Sequence, residues 1–196
     1  VTRAPATSLL VVAATPEEVG HLCECYPVLV TGIGKVPAAA AVAAALARTR
    51  YPADVAVVNV GTAGALRPGM NGIYCPSIVL NHDVSAGPLA DMGFPVTTTL
   101  SLPSGDGSVL ATGDVFVTEI ETRKRLAVQA HLVDMEGFAV AWASQQSGAE
   151  CRIVKHVSDD ADESSVEWPS LVDHSARVLA RWLHGTLEVC HRHPPG

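Results

Sequence analysis

The chain has 196 residues, with 13 Lys and Arg against 20 Asp and Glu, a formal net charge of −7 and a sequence pI near 5.5. At 48% hydrophobic and 17% charged residues it is excluded from the disordered class, and its acidity argues against a dedicated nucleic-acid binder. Mean hydropathy is +0.26, but the longest apolar run, Val36–Ala47, stops between Lys35 and Arg48, short of the roughly 20 residues of a bilayer span. We therefore expect a soluble chain without a signal peptide, because Val1–Leu10 lacks the small-residue cleavage pattern. Five scattered cysteines argue against a disulfide framework. Cys23 and Cys25 lack the second Cys or His pair of a zinc site, so a reduced cytoplasm is expected.

In chain order, Leu9–Ala13 reads as a strand buried on both faces. Thr15-Pro16-Glu17-Glu18 then carries helix-start signals: an N-cap threonine, proline at the first helical position, and a capping-box carboxylate in Glu18. Val28–Thr31 reads as a strand, Gly32-Ile33-Gly34 as a turn, and Lys35–Arg50 as an alanine-rich helix. Asp54–Val60 is a buried strand ending in Gly61-Thr62-Ala63-Gly64. Ile73–Leu80 follows as a strand, then a turn-rich stretch from Asn81 to Gly107. Val109–Thr112, His131–Asp134 and Arg152–Val157 read as later strands; Glu119–Gln129, Glu136–Gln146 and Ser170–Leu183 read as helices. The alternation predicts one α/β domain over 1–190, with a mixed, mostly parallel sheet and helices on both faces, and a loose tail at 191–196. The tail histidines His191 and His193 read as solvated rather than metal-binding.

The glycine motifs do not stand alone. Gly32-Ile33-Gly34-Lys35 lacks the earlier glycine of a phosphate loop, and Val36 stands where such a loop needs Ser or Thr. Gly61–Gly64 reads equally as a structural turn or as a ligand contact at a strand end. Asp134-Met135-Glu136 reads as helix N-terminal charge, and Ser158 to Glu163 as an acidic loop. Convergence raises their interest. Glu18, Thr62, Glu136 and Asp159 each fall just past a predicted strand end, and such ends share one rim in an open sheet.

Taken together, Thr31–Val36, Gly61–Gly64, Thr112-Gly113-Asp114-Val115-Phe116, Val133–Glu136 and Val157-Ser158-Asp159 resemble the nucleoside phosphorylase and nucleosidase superfamily, and within it the 5′-methylthioadenosine/S-adenosylhomocysteine nucleosidases. The resemblance runs from Leu9 to Leu183. It implies the three-layer nucleoside phosphorylase-like fold and hydrolysis of the N-glycosidic bond of an adenine-type nucleoside. Asp159 would act as general acid at purine N7 with Ser158 in support, worth about 10²–10⁴-fold. Glu136 would hold the ribose hydroxyls, Met135 would pack on the sugar, Phe116 would stack on the base and the Val117 backbone would read its edge. Thr62, Ala63 and Gly64 would contact the substrate, and Glu18 would activate water in competition with its capping-box role. Ile33, Phe94 and Trp168 are candidates for an apolar wall around the 5′ group.

The resemblance further implies a homodimer and no metal or organic cofactor. Three departures bear on the substrate: a short 86–108 segment, Lys155 where relatives carry arginine, and Gly137-Phe138 in place of small residues. The Ala14–Glu18 turn has acids and no arginine, and Asn59 stands where related phosphorylases carry a phosphate-binding arginine. Water therefore suits the nucleophile role better than phosphate. A futalosine-type hydrolase, a purine nucleoside phosphorylase and a non-catalytic nucleoside-binding protein are the alternatives.

Overall fold

The computed structural model describes residues 8–103, 105–161 and 168–191, with the side chains of 168–170 and 187–191 outside that description. Its elements are β1 (Ser8–Ala13), β2 (Val28–Val30), α1 (Lys35–Ala47), β3 (Val55–Ala65), β4 (Ile73–Tyr74), β5 (Ile78–Asn81), α2 (Ala86–Asp91), β6 (Thr99–Ser101), β7 (Val109–Thr112), α3 (Ile120–Ala127), β8 (Leu132–Asp134), α4 (Gly137–Gln146), β9 (Glu150–Asp159) and α5 (Trp168–His191).

The strands form one mixed sheet in the order β2-β1-β3-β8-β7-β5-β6, with β9 paired to β3 and to β4. Alternate residues of β1 and β3 feed opposite cores. Val12 and Val57 pack with Ala38, Val42 and Leu46 of α1 and with α4. Val11, Ala13, Val58 and Val60 pack with Leu179 and Leu183 of α5. Burial on both faces is why these strands read as continuous apolar runs. In α1, Ala38, Val42 and Leu46 recur four residues apart and form its buried stripe, and the alanines around them allow the close packing of α1 on α4.

β3 branches the sheet. Residues 55–59 pair with β1 in parallel, whereas Gly64 and Ala65 pair antiparallel with Val133 and Leu132 of β8. The antiparallel pairing turns the carboxyl end of β8 back toward Thr62–Gly64. On its other edge β3 pairs with β9 in parallel, with a register break at Ala63/Gly64 where Val157 and Asp159 are the partners and Ser158 is skipped.

Several expectations are corrected. Pro16-Glu17-Glu18 starts no α-helix; Glu17–Val19 is one 3₁₀ turn, and its N-cap is Pro16, without a side-chain cap bond. The Glu18 carboxylate reaches across to β3 as well as back to the turn. Gly61–Gly64 is not a loop beyond the strand, because the long partner β9 extends β3 through it. Ile73–Leu80 divides at 75–77 into β4, which pairs with β9, and β5, which pairs with β7. The stretch from Asn81 to Gly107 contains α2 and β6. The tail at 192–196, with His193, and the His191 side chain lie outside the described residues.

Candidate active site

Glu18, at the 3₁₀ turn after β1, is buried, and both carboxylate oxygens are engaged. Oε2 accepts the amides of Ala14 at 3.0 Å and Thr15 at 3.3 Å, while Oε1 accepts the Thr62 amide at 2.8 Å and the Thr62 hydroxyl at 3.2 Å. The Ala14 and Thr15 contacts tie the carboxylate back to the start of the turn, so one oxygen serves the turn and the other faces β3. Sequence reasoning set these roles in opposition; the carboxylate divides them between its oxygens.

Asp159 ends β9 directly after the skipped Ser158. The bulge re-aims it, as bulges beside functional sites commonly do. Its Oδ2 accepts from the Ser158 hydroxyl at 2.6 Å and its Oδ1 from the Ala161 amide at 2.9 Å. Gly64 makes room for this corner, since a Cβ there would stand 2.8 Å from the Ala161 Cβ and 3.1 Å from Asp159 Oδ1.

Glu136 is the N-cap of α4, directly after β8, and its Oε1 accepts the Gly34 amide at 2.8 Å. Burial, reinforced by the Asp134 charge, outweighs Lys155 and pushes the Glu136 carboxyl up to about 7. Beneath it lies a polar cluster. Lys155 Nζ is 2.9 Å from Asp134 Oδ2, with both side chains at most 2% exposed. Asp134 also accepts from the Thr112 hydroxyl at 2.6 Å and the Gly137 amide at 2.9 Å. Burial works against the Lys155 charge, but Asp134, Glu136 and Glu18 outweigh it and hold the ammonium above its ordinary pKa. Lysine in place of arginine thus still supplies one buried cation among carboxylates.

These groups meet in one cleft of about 250 Å³. Its wall includes Glu18, Ile33, Thr62, Ala63, Gly64, Phe116, Val117, Met135, Glu136, Ser158 and Asp159, all expected from the sequence. Thr15, Val115, Asp134 and Ala161 also line it and were not singled out. Phe94 is not brought there: it is 68% exposed after α2 and absent from the wall, so its expected role is withdrawn. The Trp168 side chain lies outside the described residues.

A second cluster ties the rim together. Lys35 Nζ bonds Asn81 Oδ1 at 2.9 Å and the Asp83 carboxylate, and lies 3.6 Å from Asp114 Oδ2. Its amide donates to Asp114 Oδ1 at 2.8 Å, and the Asp114 amide donates to Asp83 Oδ2 at 2.7 Å. The turns after β2, β5 and β7, which carry Ile33 and Phe116, are thereby joined. Sequence reasoning missed this cluster and the Lys155–Asp134 pair. The available signal was a lone lysine inside the apolar run Ile153-Val154-Lys155. Among the described residues no group of three or more His, Cys, Asp or Glu side chains is placed to hold a metal, and no helix is long and apolar enough to cross a membrane.

A phosphorylase-type α/β fold with carboxylates from three separated stretches around one cleft defines the class, and residues 18–188 match the family described as the phosphorylase superfamily. The chain belongs to that superfamily. The aminodeoxyfutalosine nucleosidase of Helicobacter pylori strain ATCC 700392 / 26695 is 32% identical over 83 residues, 41% of this chain; the chain thus spans 36% of that relative's length. A mutant 5′-methylthioadenosine/S-adenosylhomocysteine nucleosidase of Helicobacter pylori, with 5′-methylthioadenosine in its active site, superposes with a TM-score of 0.78 at 20% identity, covering 92% of this chain and 98% of the other. A futalosine hydrolase mutant of Helicobacter pylori strain 26695 gives 0.77 at 21% identity, covering 92% and 98%. The nucleosidase from Neisseria meningitidis in complex with methylthio-immucillin-A gives 0.74 at 20% identity, covering 88% and 95%. At these identities the structural likenesses establish the fold.

Proposed function

We propose that this protein is a purine nucleosidase that hydrolyses the N-glycosidic bond of an adenine-type nucleoside. The observation that carries the reading is the common cleft of Glu18, Glu136 and Asp159. Breaking the bond places negative charge on the leaving purine and positive charge on the sugar. Asp159, braced by Ser158 and the Ala161 amide, acts as the acid toward purine N7. Glu136 binds the ribose hydroxyls and, once ionised, stabilises the developing cation. Glu18 orients and activates the attacking water, with Phe116 and Met135 packing on base and sugar.

Water is favoured over phosphate by charge. The wall beside Glu18 is formed by Ala14, Thr15 and Thr62, and a carboxylate facing the nucleophile repels a phosphate dianion. Within this reading the substrate is 5′-methylthioadenosine or S-adenosylhomocysteine. The aminodeoxyfutalosine nucleosidase among the relatives supports a second reading, in which a futalosine-type nucleoside is cleaved by the same residues.

The test is chromatographic. Adenosine, 5′-methylthioadenosine, S-adenosylhomocysteine, inosine and aminodeoxyfutalosine are each incubated with the protein, with and without phosphate. Free base and free sugar without phosphate are the expected products. Strict phosphate dependence with a sugar 1-phosphate product refutes hydrolysis, and base release from aminodeoxyfutalosine alone selects the second reading.

A further inference from the structure

The polar groups of the cleft are largely committed to one another. Glu18 takes three backbone amides and one hydroxyl, Glu136 takes the Gly34 amide, and Ser158 and the Ala161 amide serve Asp159. Thr15 differs. The residue lines the cleft, yet its Oγ1 is withdrawn from solvent and has no hydrogen-bond partner among the described residues. A hydroxyl left in that state is costly, and a ligand that satisfies it recovers the loss.

The position of Thr15 follows from the bonding along the wall. Gly64 abuts Asp159, and two residues earlier Thr62 holds Glu18 Oε1. On the far side of the same carboxylate, Oε2 is held by the Ala14 and Thr15 amides. The Ala14 carbonyl accepts the Gly32 amide at 3.0 Å, which sets Ile33 beyond Thr15. The order is therefore Asp159, Gly64, Thr62, Glu18, Thr15, Ile33. A nucleoside with its base at Asp159 and its reacting carbon at Glu18 runs its remaining sugar substituent past Thr15.

We propose that Thr15 is a specificity-determining residue whose hydroxyl, turned into the cleft about χ1, hydrogen-bonds an oxygen on the sugar substituent remote from the base. Thr15 then favours a nucleoside carrying a hydroxyl or similar polar oxygen at that end over the same nucleoside ending in a bare methyl. Ile33, 55% exposed on the same wall, offers the opposing apolar chemistry, so the preference is set between the two. The inference rests on the nucleosidase reading for the orientation of the substrate.

Adenosine and 5′-deoxyadenosine differ only in the oxygen concerned and are the probes. Thr15→Val keeps the shape and the amide that donates to Glu18; Thr15→Ser keeps the hydroxyl. For each protein, kcat/KM for adenine release and Kd by calorimetry are measured for both nucleosides. The wild type is expected to favour adenosine about five- to tenfold, the valine variant to show a ratio near one, and the serine variant to retain the preference. Because Oγ1 has no partner to lose among the described residues, the valine variant is expected to melt no earlier than the wild type. An unchanged ratio in the valine variant, or a wild-type preference for 5′-deoxyadenosine, overturns the proposal. Binding without base release refutes the hydrolase reading while the Kd ratio still decides the role of Thr15; absence of binding by both nucleosides overturns both.

Discussion

Gly61 and Glu18 fit together because one of them has no side chain: a Cβ at Gly61 would lie 2.7 Å from Glu18 Oε1 and 3.2 Å from its Cδ. Oε1 is held at that spot by the Thr62 amide and hydroxyl, so the carboxylate has little freedom to retreat. Gly61→Ala is expected to displace Glu18 and lower kcat by about 10²-fold, the scale of losing a positioned acid–base group. Overpacking is expected to cost about 1–3 kcal/mol of stability. Steady-state kinetics beside a urea melt check both, and wild-type kcat in the alanine variant refutes the role given to Glu18.

Asp159→Asn keeps the shape and removes the acid. The expected loss is about 10²–10⁴-fold in kcat, with substrate Kd changed only severalfold, because protonation of the leaving base matters most in the transition state. Ser158→Ala is expected to cost less, since the Ala161 amide still holds Oδ1. Single-turnover kinetics with a separate binding measurement separates the two quantities.

Glu136 links stability to pH. Its folded pKa of about 7 lies above the ordinary value of 4.5, so the folded protein holds this proton more tightly than the unfolded chain. Its contribution to stability is fully present below about 4.5 and is lost as pH rises through about 7. Glu136→Gln keeps an acceptor for the Gly34 amide and never ionises. The variant is expected to gain stability over the wild type between pH 5.5 and pH 8, while losing turnover at both. Denaturant melts of both proteins at the two pH values give the difference directly; a gap that does not widen at pH 8 contradicts the raised pKa.

Lys155→Met leaves the Asp134 carboxylate buried without its cation. A loss of about 3–5 kcal/mol is expected. Asp134→Asn in the same background is expected to recover part of it, since the neutral amide needs no counter-charge and its one oxygen still accepts the Gly137 amide. Equilibrium unfolding of the single and double variants tests the coupling, and additive losses show that the pair does not act as a unit.

Lys35→Met is expected to behave differently, because its ion pairs are partly solvated and worth about 1 kcal/mol or less. Burial favours the neutral form of Asp83, but its bond to Lys35 and the Asp114 amide outweigh that and keep its carboxyl below the ordinary range. Loosening this tie frees the turns carrying Ile33 and Phe116. A several-fold rise in KM with nearly unchanged kcat is expected in initial-rate measurements, and a fall in kcat alone argues against a positioning role.

Much of this arrangement was legible in the residues. Apolar runs such as Leu9–Ala13 and Arg152–Val157 became strands because both sheet faces are covered. Most wall residues from Glu18 to Asp159 were named, Val115 and Asp134 excepted, whereas Phe94 sits in a turn after α2 that leaves it in solvent. The start signals at Thr15–Glu18 misled because a capping carboxylate looks the same locally whether a helix follows or a neighbouring strand takes its other oxygen. Gly61–Gly64 looked like a loop because glycine-rich stretches usually are, and only pairing with β9 made it strand.

The sequence by itself determined the long apolar strands and the helices α1, α3, α4 and α5 in their order, since burial runs, proline and glycine act within a few residues of themselves; α2, β6 and the division of β4 from β5 came only with the structure. The tertiary structure alone decided that β8 runs antiparallel to β3, that Ser158 is skipped in the ladder so that Asp159 turns inward, and that Lys155 meets Asp134. Strand partners and register are chosen by contacts between stretches far apart in the chain. The elevated pKa of Glu136 has the same origin, because it depends on charges and burial that exist only once those stretches are packed together.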